Sequence, residues 1–209
     1  MTPDDLKWPA VYTDGVVVHY SPTEDFSSAY VGGPLEQAFS GVAFGPEPLH
    51  RIFTFSPAGL PQPTGHNLQG RMSLFYGMRF SGCELRYRVA VFAGVGAQYI
   101  QDYAEATQVM EMTPTVSSED WPYTGYPLLL PYVPLREASR VAMEPEAFAE
   151  SYTWQGLEEL SHDELVVVVP AIARLGVSMW GRSGDDEAVQ LVFRYSYASQ
   201  EIHAFNQCT

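Results

Sequence analysis

A chain of 209 residues with 46% apolar side chains can bury a sizeable core, so it is neither a disordered segment nor a scaffold that needs staples. Its formal charge of −14 repels phosphate backbones and anionic lipid surfaces, which argues against nucleic acid and membrane and favours a cation or a basic protein as partner. Two cysteines, Cys83 and Cys208, are too few for a disulfide framework and read as free thiols.

In chain order, the acidic, polar start through Lys7 is no secretory leader, and no run approaches the ~20 apolar residues of a membrane span, so cytoplasm is the expected location. Residues 15–20 predict a first strand, ended by Ser21-Pro22. Residues 34–39 predict a short helix, with Pro34 at its first position and Gly41 past its end. Residues 51–55 predict a strand. Residues 56–70, dense in Pro and Gly, predict a long loop within one domain spanning 1–209, with a subdivision there as the alternative. Residues 71–80 and 83–92 predict a hairpin turning at Ser81-Gly82, its second strand alternating apolar and charged residues.

The spacing of Ile100, Tyr103, Ala104 and Thr107 predicts a helix over 97–112. The prolines Pro122, Pro127, Pro131 and Pro134 rule out a central strand or regular helix over 118–134. Residues 135–150 predict a helix, with Pro145 opening a new turn, and 157–160 one further helical turn. The β-branched run Val166 to Val169 predicts a strand buried on both faces. Residues 177–180 and 189–197 predict paired strands, and 202–205 a last one. The fold class that results is α+β: predominantly antiparallel β-sheet with a few short helices and long proline-rich loops.

Chemistry-bearing residues are present without the spacing that chemistry needs. The five histidines, His19, His50, His66, His162 and His203, form no metal-ligand motif. His162-Asp163-Glu164 is the densest cluster, and it reads as a polar lead-in to the buried strand better than as a metal site. Asp185, Asp186 and Glu187 read as a solvated turn whose carboxylates could meet a partner's Arg or Lys; their spacing is not that of a calcium loop. There is no G-x-S-x-G around any serine, and neither Ser178 nor Cys208 has a neighbouring base. Gly94-Val95-Gly96 lacks the third glycine of a phosphate-binding loop and reads as a tight turn. Trp121, Tyr123 and Tyr126, set among prolines, could display flat rings for a ligand or partner, although such a stretch more often packs over the edge of a core.

The C-terminal segment resembles the YwqG-like family of bacterial proteins. The residues that carry this are the apolar strand Leu165 to Pro170, Gly176 with Met179-Trp180-Gly181, Val192-Phe193, and Gln207-Cys208; Gly65-His66 and Gly125-Tyr126-Pro127 echo other signatures in a different mutual placement. Where the family has Gly-Asp-Ala-Gly, this chain has Gly181-Arg182-Ser183-Gly184, so the acidic position is lost. The resemblance implies a mixed α+β fold and permits an immunity or interaction role. It transfers no catalytic residue.

The sequence therefore predicts a non-enzymatic acidic binding protein without cofactor or metal, in its most specific form an immunity protein neutralising a cationic bacterial toxin. Its expected contact residues are Trp121, Tyr123, Tyr126, Asp185, Asp186 and Glu187. The alternatives are a hydrolase whose residues converge only in three dimensions, and a structural or assembly subunit such as a phage protein.

Overall fold

The computed structural model describes residues 1–33, 49–68, 71–77, 84–92, 97–109, 132–170, 189–199 and 202–208. Among these, the strands are β1 (Ala10–Thr13), β2 (Val16–Pro22), β3 (Ala29–Val31), β4 (Leu49–Phe55), β5 (Arg71–Gly77), β6 (Glu84–Phe92), β7 (Ala97–Val109), β8 (Val133–Ala142), β9 (Glu164–Val169), β10 (Val189–Ser196) and β11 (Ile202–Cys208). One α-helix, α1 (Pro145–Tyr152), accompanies them. The strands form one sheet in the order β11-β10-β9-β1-β2-β8-β3-β4-β5-β6-β7, and every neighbouring pair is antiparallel. The mixed, mainly antiparallel fold expected from the sequence is thus the one observed.

Burial explains the curvature. One cluster joins Leu191 and Phe193 of β10 to Val167 of β9, Val18 of β2, Phe53 and Phe55 of β4, and Met72 and Leu74 of β5. Its members lie on successive neighbouring strands, so it lines one face of the sheet continuously. β11 approaches β6 although eight strands lie between them in the order, so the sheet curls around this face. The opposite face of β1, β2, β9 and β10 packs Ala10, Tyr12, Val17, Val166, Val168 and Val192 beneath Phe148, Ala149 and Tyr152 of α1. β9 is therefore covered on both sides, with Leu165, Val167 and Val169 in the first cluster and Val166 and Val168 in the second. The unbroken valine run predicted this, because only a strand with no wet face can omit polar alternation.

β1 and β2 join through Asp14-Gly15, with φ of 45° and 73°. Two central residues in the left-handed region make the turn whose twist matches a hairpin, and Asp-Gly is its usual sequence. Pro145 occupies the first turn of α1, as expected. The β5–β6 register, Arg71 opposite Phe92 through Gly77 opposite Arg86, is the one that a turn centred on Ser81-Gly82 requires; those two residues lie outside the described set. β4 and β5, which flank the proline-rich loop, pair directly.

Four expectations are corrected. Residues 97–109 are strand β7, not helix, with Tyr99 opposite Val91 and Asp102 opposite Arg88. The edge of β6 offers the segment backbone partners, and pairing overrides an imperfect helical spacing. Residues 135–142 belong to β8, so the helix expected over 135–150 shrinks to α1. Residues 157–160 form a hydrogen-bonded turn, with Glu159 at φ 53°, instead of a helical turn. Pro134 does sit inside a central strand, opposite Tyr30. Its carbonyl accepts from the Thr23 amide at 3.0 Å, so its backbone faces the side where β2 has just ended, and its missing N–H breaks no ladder. The helix expected at 34–39, the glycine turn at 94–96 and the strand at 177–180 lie outside the described residues. Both edges of β10 are taken by β9 and β11.

Candidate functional site

All six contact residues named from the sequence, Trp121, Tyr123, Tyr126, Asp185, Asp186 and Glu187, lie outside the described residues. Described polar groups are spread over the molecule, and one group of them lies where α1 meets β1, β2 and β8. Three arrangements there bear on function.

The first is an acidic end. Tyr12 points into the α1 layer and stacks near Phe148, ring centroids 4.9 Å apart. Its hydroxyl is buried and has no hydrogen bond of good geometry. Burial pushes the phenol up to about 12, a shift opposed by the nearby Gly15 backbone and reinforced by the carboxylates of Glu144, Asp14 and Glu146. These three carboxylates come from the β1–β2 turn and the first turn of α1, where the helix dipole favours acidic side chains. His162 Nε2 lies 3.5 Å from Glu144 Oε2, and the imidazole packs over Gly15, where an added Cβ would stand 3.4 Å from His162 Cε1.

His162 and Glu164 do not converge. Glu164 turns the other way and takes a two-pronged bond from Arg194, with Nη2 at 2.8 Å from both carboxylate oxygens and Nε at 3.0 Å from Oε1. Arg194 also donates to the Glu158 carbonyl, and Glu164 accepts from the Ser161 amide, so the pair ties the 157–163 turn to the sheet. Among the described residues no three of His, Cys, Asp and Glu are placed to hold a metal ion.

The second arrangement is a chain of three side chains that the sequence reading missed, because His19 lies far in sequence from Ser139 and Tyr152. His19 of β2 contacts Tyr152 Oη of α1 through Nε2 at 2.6 Å and Ser139 Oγ of β8 through Nδ1 at 3.0 Å. Desolvation lowers the pKa of His19, so the ring is neutral at pH 7 and has one donor and one acceptor nitrogen. The Tyr152 phenol, whose pKa burial raises, holds its proton and finds in Nε2 its one acceptor among the described residues. Nδ1–H then donates to Ser139. In this arrangement the imidazole donates a hydrogen bond to the serine oxygen instead of accepting one from its hydroxyl, the reverse of nucleophile activation. The chain fixes α1 to β2 and β8.

The third is the outer edge of β8. β2 pairs with residues 135–142 on one side, whereas β3 reaches only 133–135 on the other. Arg136 through Ala142 are exposed on both faces, and among the described residues no strand pairs with their outer edge, although the Arg140 guanidinium donates to the Gly59 carbonyl at 2.9 Å. A bulge opposite His19/Tyr20 interrupts the inner pairing, and across it Arg140 Nη2 reaches Glu137 Oε2 at 2.8 Å. Where β2 ends, Pro22, Thr23, Glu24 and Arg136 line an open depression of about 380 Å³.

Comparison of the chain with protein families, with curated proteins and with solved structures finds no match.

Proposed function

We propose that this chain is a non-enzymatic acidic binding protein that covers the basic surface of a protein partner. The observation that supports it most directly is the grouping of Asp14, Glu144 and Glu146 around one turn, where every charge that acts on the Tyr12 phenol is a carboxylate. Three carboxylates gathered without a metal-binding geometry suit the spread charge of Lys and Arg side chains better than an ion. The total charge of −14 adds long-range steering toward such a partner. Neutralisation of a cationic bacterial toxin is the most specific form of this reading.

The test is capture of a partner from the source organism at low and high salt, with the native chain and with the Asp14→Asn/Glu144→Gln/Glu146→Gln variant. The reading requires a basic partner whose binding weakens as salt rises and falls by about tenfold or more in the variant. Capture indifferent to both sinks it.

A further inference from the structure

We infer that the outer edge of β8 over residues 136–142 is a docking site for an extended segment of the partner, added to the sheet as an antiparallel strand. The edge itself is read from the backbone, and the charge of its occupant rests on the acidic-binding reading above.

The geometry comes first. The Met143 amide donates to the Gly15 carbonyl at 2.9 Å, and the Pro134 carbonyl accepts from Thr23, so residues 143 and 134 face β2. Backbone groups alternate along a strand, which turns those of Ala142 and Arg140 outward from one end and those of Glu137 outward from the other. The single residue of excess between these two counts is absorbed by the bulge. These outward N–H and C=O groups stand on a seven-residue stretch whose side chains are all exposed. An edge of that length, ~20 Å, is a template that native proteins pair, cover or protect. This one is protected in part: the Glu137–Arg140 ion pair and the bulge keep it from joining flat, apolar strands at random. Such protection leaves room for a selected occupant.

Charge selects and orients that occupant. The Ala142 end runs directly through Met143 into Glu144, beside Asp14 and Glu146, and is acidic. The opposite end carries the exposed guanidinium of Arg136. A strand antiparallel to β8 has its N-terminal end over Ala142 and its C-terminal end over Arg136. The segment that fits therefore carries Lys or Arg at its N-terminal end, a carboxylate at its C-terminal end, and small or β-branched residues between them, facing Ser139 and the exposed Val141. A second copy of this chain fits poorly, since two molecules of the same strong negative charge repel.

The test uses a random-peptide library displayed on phage, selected on the full chain, and the variant Ala142→Pro. Proline at 142 removes an outward N–H and no bond to β2, so the sheet is kept and the docking edge is blocked. Circular dichroism and unfolding of the variant establish that it folds. The proposal expects enriched peptides with basic N-terminal and acidic C-terminal ends, about tenfold or weaker affinity for the proline variant, and slowed amide exchange at Arg140 and Ala142 when a synthesised peptide binds. Failure to enrich any such pattern, or equal affinity for the variant, overturns it. The two readings fail separately. Peptides that bind salt-sensitively but ignore Ala142→Pro overturn the edge alone. Peptides that need the edge but ignore salt and the Asp14/Glu144/Glu146 neutralisation overturn the acidic reading alone.

Discussion

His19 shows how one residue couples protonation to the fold. Its pKa is lowered by burial below the 6.5 of a free imidazole. Below pH 6.5 the unfolded chain therefore binds more protons than the folded one, and the stability that a neutral His19 contributes is present above 6.5 and lost as pH falls toward the folded-state value. Urea unfolding between about pH 7.5 and 5 should show stability declining over that window, with His19→Gln flattening the slope. Nitrogen-15 shifts should find Nδ1 protonated and Nε2 accepting from Tyr152; the reverse tautomer would restore Ser139 as a candidate nucleophile. The Glu164–Arg194 pair makes a second test, because both side chains are mostly buried, at 15% and 21% exposure. Arg194→Met leaves the carboxylate without its fork and should cost about 2–3 kcal/mol, and the double variant Glu164→Gln/Arg194→Met should cost less than the sum of the two single losses. Neither arrangement was legible in the sequence. His19 is separated from Ser139 and Tyr152 by more than half the chain, and a pairing by touch leaves no spacing to read.

At the scale of elements, α1 holds to the sheet through a short apolar face. Phe148 is fully buried between Tyr12 and Tyr152, stacked on the latter with ring centroids 4.9 Å apart. An eight-residue helix has little stability of its own, so Phe148→Ala should cost about 3–5 kcal/mol in equilibrium unfolding and release Tyr152 from His19. Gly15 is constrained twice, by φ of 73° and by the His162 ring over it; Gly15→Ala should cost about 1 kcal/mol and displace the imidazole from Glu144. The elements that the sequence disclosed were those whose burial writes a pattern. The β9 valines have both faces covered, and the β5–β6 pair has a turn signal between its strands. β8 was hidden for the opposite reason. Residues 136–142 are exposed on both faces and rich in Ala, Arg and Glu, so they show no period of two and locally favour helix. Only β2 and the backbone ladder make them a strand. β1 was missed although Asp14-Gly15 announced its hairpin.

For the whole molecule, charge sets the behaviour. With −14 on one chain and carboxylates gathered at one end, self-repulsion opposes compaction, and screening relieves it. The melting temperature should rise as sodium chloride increases from near zero to about 0.2 M, whereas affinity for a basic partner should fall over the same range. A melting temperature unmoved by salt would mean that the carboxylates lie too far apart to matter. The sign of the chain's own charge was readable from composition, which needs no coordinates. The grouping of Asp14, Glu144 and Glu146 was not, because it is assembled from a turn and a helix start that meet only after folding.

The pairing of Ala10 with Val168 has a consequence for synthesis. The hairpin of β1 and β2 leaves the ribosome early, carrying valines meant for two different layers, yet the neighbour that shields β1 is translated long afterwards. Until then this sticky ribbon has only itself. Nascent chains should recruit holdase chaperones and, when β9 is interrupted by a charge, clump during expression before any partner is met.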